Sequence, residues 1–180
     1  MKTLMLYESM FGNTQKVAEA VAVGLRDSGA DVTVAEVGTT LLSDFAHADL
    51  LVLAAPTHAL ALSSPESRAD AVARGAEPQH ALTGLREWLT AVTSAPSSDP
   101  PVVAVFDTRM SRVRHWPGSA GKQMARKLER NGFSVLDRET FYVLDVAGPL
   151  VDGELDRANQ WGRALAGLLS TRDGAGHGAR

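Results

Sequence analysis

A doubly wound α/β fold, with a five-stranded parallel sheet in the order 2-1-3-4-5 and helices on both faces, is predicted from three features of the sequence. Residues 4–7, 50–55 and 102–106 form short apolar runs, each followed by loop residues, as strands buried on both faces do. Two other segments, around Val32, Val34 and Val37 and over residues 133–144, alternate apolar and polar side chains and so suit the wetter edges of a sheet. Between the strands the apolar spacing changes to one helical turn.

The elements follow in order. After the first strand, Val17, Val21 and Leu25 make the stripe of a helix. The alternating second strand and the apolar third strand come next, and residues 64–75 open on Ser64, Pro65 and Glu66 as a short helical segment. Leu82, Leu85, Leu89 and Val92 give a further stripe. Residues 94–101 are a Pro/Ser-rich connector into the fourth strand. Ala120, Met124 and Leu128 mark a helix that Asn131 and Gly132 end, and Leu155, Ala158, Gly162, Leu165 and Leu169 mark the last helix. Alternation of strands and helices requires crossovers that return over a sheet face, hence a parallel sheet. Residues 1–170 are expected to form a single domain, and residues 171–180, Gly-rich without an apolar stripe, a disordered tail.

Composition narrows the chemistry. The chain of 180 residues has no cysteine, which removes disulfides, thiolate metal sites, iron–sulfur clusters and thiol nucleophiles, so redox chemistry needs a borrowed cofactor. A net charge of −3 gives no support for nucleic-acid binding through a broad basic surface. No apolar run reaches the roughly 20 residues of a membrane span and no signal segment opens the chain, so a cytoplasmic location is expected. No metal site is expected: Glu8 is the one carboxylate at the end of the first strand, and the histidines at 47, 58, 80, 115 and 177 lack ligand spacing.

In a doubly wound sheet, ligands bind at the C-terminal ends of the strands near the switch in strand order. That rule selects the loops over residues 8–14, 56–77 and 107–119. The first reads Glu8, Ser9, Met10, Phe11, Gly12, Asn13, Thr14. Short hydroxyl and amide side chains crowd a bend between a buried strand and a helix, where amide N–H groups and the positive helix end favour an anion. Gly12 lets the backbone approach closely. Capping of the helix by Asn13 or Thr14 explains any two of these residues but not the set.

This segment resembles the flavodoxin family signature, in which an aliphatic pair and an aromatic are followed by Ser, Gly and Thr, then Ala and an aliphatic residue in the helix. Leu6, Tyr7, Ser9, Gly12, Thr14, Ala18 and Val21 match, and Met5 stands where Leu, Ile or Val is usual. The resemblance implies noncovalent flavin mononucleotide (FMN), with its phosphate held at Ser9, Met10, Phe11, Gly12, Asn13 and Thr14 and its ring between the other two loops.

The second loop, Pro56, Thr57, His58 and Ala59, is similar to the Pro-Thr turn that passes the flavin edge in this family, and a backbone peptide there that reorients on reduction commonly sets the potential. Leu60, Ala61 and Leu62 then form an apolar lip that either shields the ring or receives a planar substrate. The third loop supplies Asp107, Thr108, Arg109 and, as its one aromatic, Trp116, which either takes the ring-stacking place the resemblance implies or packs against the sheet edge. Arg109, Arg112 and Arg114 depart from the acidic surface of ordinary flavodoxins, and near the ring they stabilise the anionic reduced flavin.

The resemblance therefore implies a flavin-dependent redox protein, either an electron carrier or a small FMN-dependent reductase, serving a redox partner protein or a small planar electron acceptor, with NAD(P)H as a possible donor held through Arg112 or Arg114. No acid–base pair is required by spacing. The competing reading is a flavodoxin-fold binding or regulatory module that uses no flavin.

Overall fold

A computed structural model describes residues 1–39, 47–94 and 100–177, with side chains through Arg172. Its elements are β1 (Lys2–Tyr7), α1 (Asn13–Asp27), β2 (Asp31–Glu36), β3 (Leu50–Pro56), α2 (Pro65–Ala73), α3 (Leu85–Ser94), β4 (Val102–Met110), α4 (Ala120–Arg130), β5 (Val135–Val143) and α5 (Glu154–His177). All strand pairs are parallel and the order is β2-β1-β3-β4-β5, as predicted.

Two cores follow from the pleat. Residues one apart on a strand face opposite sides, so Leu4, Leu6, Leu51, Leu53, Val103 and Val105 meet α3 and α4, while Met5, Leu50, Val52, Ala104 and Phe106 meet α1 and α5. β3 is buried over nearly its whole length, which is why it reads as a continuous apolar run. On the α1 and α5 side, Phe106, Phe141 and Trp161 pack edge to face at centroid distances of 5.4, 5.8 and 6.1 Å. The Trp161 indole N–H donates to Asp137 Oδ2 at 2.8 Å, so its polar edge is satisfied at the rim of that core.

Two glycines set how closely α1 and α5 approach. A Cβ on Gly24 would lie 2.0 Å from the Asn159 carbonyl oxygen, and one on Gly162 would lie 2.2 Å from that of Val21. Each helix thus presents a bare backbone patch to the other, and no side chain larger than hydrogen fits at either position.

Several expectations change. β4 continues past Phe106 to Met110, so Asp107, Thr108 and Arg109 are strand residues pairing with Thr140, Phe141 and Tyr142 of β5 and not part of a loop. β5 is one nine-residue strand that matches the lengthened β4. Leu82 is 82% exposed and precedes α3, and Leu155 is 44% exposed at the start of α5; the spacing of both fits a stripe, but each lies in or before the first turn, where the helix has not yet reached the core. α5 runs on to His177, so the expected tail is helical to that residue, and residues 178–180 lie outside those described, as do 95–99 of the connector. No helix among the described residues is long and apolar enough to cross a membrane.

Candidate functional site

The bend after β1 is built around Gly12, the N-cap of α1, at φ +78°. A left-handed residue at a helix start costs little only for glycine, and with no side chain Gly12 offers no cap to the first-turn amides. The Ser9 hydroxyl takes one of them, accepting from Gln15 N at 3.3 Å. The backbone N–H groups of residues 10–14 donate to no acceptor among the described residues. No acidic residue stands in the first turn of α1, so nothing offsets the positive helix end. Buried Thr14 is fixed differently: its hydroxyl meets that of Thr108 on β4 at 2.8 Å.

These residues open onto a cavity of about 280 Å³ across the C-terminal edge of the sheet. Ser9, Met10, Phe11, Asn13 and Thr14 form one end, and Pro56, Thr57, His58, Ala59, Thr108 and Arg109 continue it. The predicted loops are thus brought together, through eleven of the fourteen candidate residues.

The other three sit elsewhere. Gly12 shapes the bend without lining the cavity. Asp107 is fully buried beneath the floor, where its carboxylate accepts from the Thr57 hydroxyl and, at 2.7 Å, from that of Thr140. The Thr57 oxygen in turn accepts from Ala120 N at 2.9 Å, so Asp107 orients Thr57 against the start of α4. Trp116 is 56% exposed and outside the cavity wall. The geometry gives it no ring-stacking position there.

Arg109 lines the cavity, but its guanidinium donates to the carbonyls of Val113 and Trp116, closing the turn after β4. Its Nε is buried without a partner. Arg112 and Arg114 are exposed on the same turn, and Arg112 pairs with Asp145 at 3.8 Å.

The turn after β3 is the most constrained part of the site. Ala59 and Leu60 have φ of +46° and +67°, and His58 and Ala61 exchange two backbone hydrogen bonds of 2.9 Å around them. This is a two-residue hairpin whose central positions normally carry Asn and Gly, and non-glycine residues there cost about 1–2 kcal/mol each. The surroundings hold it in place. The Gln123 side chain accepts from Leu62 N at 2.8 Å, Arg86 donates to the carbonyls of Leu62 and Ser63, and Gly118 packs so closely that a Cβ would lie 2.6 Å from the Leu60 oxygen.

His58 Nδ1 and Ser67 Oγ are 3.0 Å apart. Burial, assisted by the charge of Arg68, pushes the imidazole below its ordinary pKa against the opposing effect of Ser67. Sequence reasoning missed the wall on which Ser67 sits. α2 brings Ser67, Asp70, Ala71 and Arg74 to the cavity, while Met110, Val143 and Val146 close the opposite side. A helix of low amphipathicity in a long loop gave no sign of that placement. Met10 with Ala71 and Ala76 forms a small apolar cluster that docks α2 onto the first loop.

Glu8 lies one residue before the cradle, buried beside Arg68. Its Oε2 accepts from Leu85 N at 2.8 Å while Oε1 has no partner. Burial raises its pKa, outweighing Ser63, the Leu85 amide and Arg68. Arg68 donates to Ser63 Oγ at 2.9 Å and to the Ala81 carbonyl at 3.1 Å, and it pairs with Glu87 at 3.2 Å. Gly84 makes room for the group, since a Cβ there would lie 2.4 Å from Arg68 Nη1 and 2.9 Å from Glu8 Oε2.

A 2-1-3-4-5 parallel sheet with a glycine bend into a helix N-terminus after β1, and a cavity between that bend, the turn after β3 and the end of β4, defines the flavodoxin-like class of α/β folds. The Flavodoxin family model matches residues 5–65, from β1 through the turn after β3. Solved structures agree on the fold over nearly the full length. A flavodoxin from the domain Archaea is 18% identical with a TM-score of 0.67, the alignment covering 94% of this chain and 99% of that one. The two-electron reduced Megasphaera elsdenii flavodoxin is 19% identical with a TM-score of 0.62, covering 91% and 98%. A flavone reductase is 17% identical with a TM-score of 0.64, covering 96% of this chain and 64% of that one.

Proposed function

We propose that this chain is an FMN-binding redox protein. The observation that carries the reading is the bend at residues 10–14, where the backbone N–H groups have no acceptor among the described residues and lie at a helix N-terminus beside the Ser9 and Thr14 hydroxyls. That donor set suits a phosphate dianion, and the left-handed Gly12 allows its approach. The adjoining cavity suits the rest of FMN in its chemistry: an apolar part from Met10, Phe11, Pro56, Met110 and Val143, with hydroxyls and backbone groups at Thr57, His58, Ala59 and Thr108.

When bound, FMN supplies one- and two-electron transfer chemistry of its own. The protein's residues bind, orient and tune. Ser9, Met10, Phe11, Asn13 and Thr14 hold the phosphate end, and Pro56, Thr57, His58, Ala59, Thr108 and Arg109 the remainder. Arg109 keeps a cation in the cavity wall that favours negative charge nearby, and Asp107 holds Thr57 in place from below. Burial, and then the charge of Arg68, holds the half-buried His58 imidazole below its ordinary pKa, which disfavours its charged form.

The test is reconstitution of the purified chain with FMN, followed by flavin fluorescence. Saturable one-site binding is expected, weaker by about tenfold or more for riboflavin, which lacks the phosphate and its charge-assisted hydrogen bonds. Absence of saturable FMN binding ends the reading and leaves the flavin-free module.

A reductase acting on a small planar acceptor is the second reading, favoured by the α2 wall of Ser67, Asp70 and Arg74, which adds polar groups beyond the cradle. The likeness to a flavone reductase agrees with it. Stopped-flow mixing of the FMN-loaded protein with NADPH or NADH separates reductase from carrier: no direct flavin reduction by either sinks the nicotinamide-dependent reductase.

A further inference from the structure

The charge of this protein is segregated. Residues 109–130 hold seven of the 18 Lys and Arg and one of the 21 acidic residues, giving that segment +6 and the rest of the chain −9. The segment is contiguous in space because the turn after β4 leads directly into α4. Along α4, Lys122, Arg126 and Arg130 recur every four residues on one face, a row about 12 Å long, with Lys127 beside it.

A groove of about 540 Å³ runs along this row, walled by Leu60, Pro117, Lys122, Arg126, Lys127 and Arg130 among others, with no carboxylate in its lining. Lys122 and Lys127 are tethered, donating to the Pro117 carbonyl at 2.8 Å and to the Thr90 hydroxyl at 2.7 Å. Arg126 and Arg130 are exposed and make no ion pair among the described residues. One end of the groove is Leu60, in the strained turn that borders the cavity and packs against Gly118; the exposed Trp116 stands two residues away along the chain.

We infer that α4 and the turn preceding it form the docking face for an acidic partner protein, whose carboxylate-bearing segment lies along Lys122, Arg126 and Arg130. An extended row suits a chain of separated negative charges better than one compact anion, which a convergent cluster of donors would serve. The apolar and aromatic side chains at that end, Leu60 and Pro117 in the groove with exposed Trp116 nearby, add uncharged contact beside the charged row, and Trp and Arg are the residues that most often carry binding energy at interfaces. The opposite charge of the rest of the molecule gives it a dipole that turns this face toward an acidic surface during approach. The docked partner would then sit beside the Ala59–Leu60 turn that borders the cavity, where it could exchange electrons with a bound FMN. That last statement rests on the proposed FMN binding; the docking face does not.

The test uses the full chain, with and without FMN, and a fluorescein-labelled ten-residue polyglutamate peptide followed by anisotropy at low ionic strength. Binding is expected in both forms, and Arg126→Glu/Arg130→Glu should weaken it by about tenfold or more, as should raising salt to about 0.5 M. The charge-matched control Arg163→Glu/Arg172→Glu, on α5, should leave peptide binding within about twofold. FMN titration of both variants reports the cofactor site separately: unchanged FMN affinity with lost peptide binding supports the docking face, whereas failure of FMN binding alone leaves the face standing. Equal peptide binding by the α4 variant and wild type overturns the inference. Tighter binding of a single-stranded oligonucleotide, of phosphatidylserine vesicles or of NADPH at the same face also overturns it.

Discussion

The Thr14 and Thr108 hydroxyls meet at 2.8 Å, joining the first turn of α1 to the end of β4 across β3. Both are buried, so each depends on the other for its hydrogen bond. The pair ties the Gly12 bend at one end of the cavity to the end of β4. Thr108→Val keeps the shape and removes the partner, leaving the Thr14 hydroxyl unsatisfied at a cost of about 1–3 kcal/mol. The expected outcome is lower stability in urea and a rise in the FMN dissociation constant, measured by fluorescence titration. Unchanged FMN affinity and stability would mean that the two hydroxyls are not coupled.

Close approach of α1 and α5 depends on Gly24 and Gly162. Gly162→Ala forces a methyl group to within 2.2 Å of the Val21 carbonyl oxygen, and both elements belong to the same buried helix pair. Overpacking of this kind costs about 1–3 kcal/mol or more, because backbone must move. Gly167→Ala, on the same helix with open space at its Cβ, should be stabilising by up to about 1 kcal/mol. Urea midpoints of the two variants test the contrast.

Glu8 makes stability depend on pH. Its folded pKa is raised above 4.5 by burial, so the stability it contributes by holding a proton is complete below pH 4.5 and is lost as pH rises through the folded value. Glu8→Gln carries no such proton, and its stability relative to wild type should improve steadily over that window. Chemical denaturation across pH 4 to 8 measures the difference; a constant offset between the two proteins would refute the assignment.

His58 acts with the opposite sign. Its folded pKa lies below 6.5, so the unfolded chain takes up the proton first and stability falls as pH drops from 6.5 through the folded value. His58→Asn removes that slope while keeping a group able to meet Ser67. Below pH 6 the variant should be less pH-sensitive than wild type in thermal unfolding. Because His58 also lines the cavity, FMN affinity is measured alongside, and its pH dependence should flatten in the same range.

How much of this was legible in the sequence differs by element. Strands buried on both faces, β1, β3 and β4, announce themselves as continuous apolar runs, and the Gly12 bend is visible because an anion cradle needs small, polar and glycine residues in one short stretch. Leu82 and Leu155 misled because periodicity records spacing and not where a helix begins to touch the core. Trp116 was selected as the one aromatic in its loop, yet Arg109 folds that loop back on the Val113 and Trp116 carbonyls and leaves the indole outward.

The order of hydrophobic periods by itself determined a parallel doubly wound sheet, since alternating strands and helices can bury their faces in few other ways. It also determined the Gly12 bend into α1, whose residues are local to positions 9–14. Only the tertiary structure decided the rest of the site: the left-handed Ala59 and Leu60, the α2 wall, the buried Glu8–Arg68 group and the alignment of cations along α4 with the cavity edge. Each of these depends on contacts between segments far apart in the chain. Propensity cannot signal them, because packing from several sides is what holds residues such as Leu60 where their own preferences would not place them.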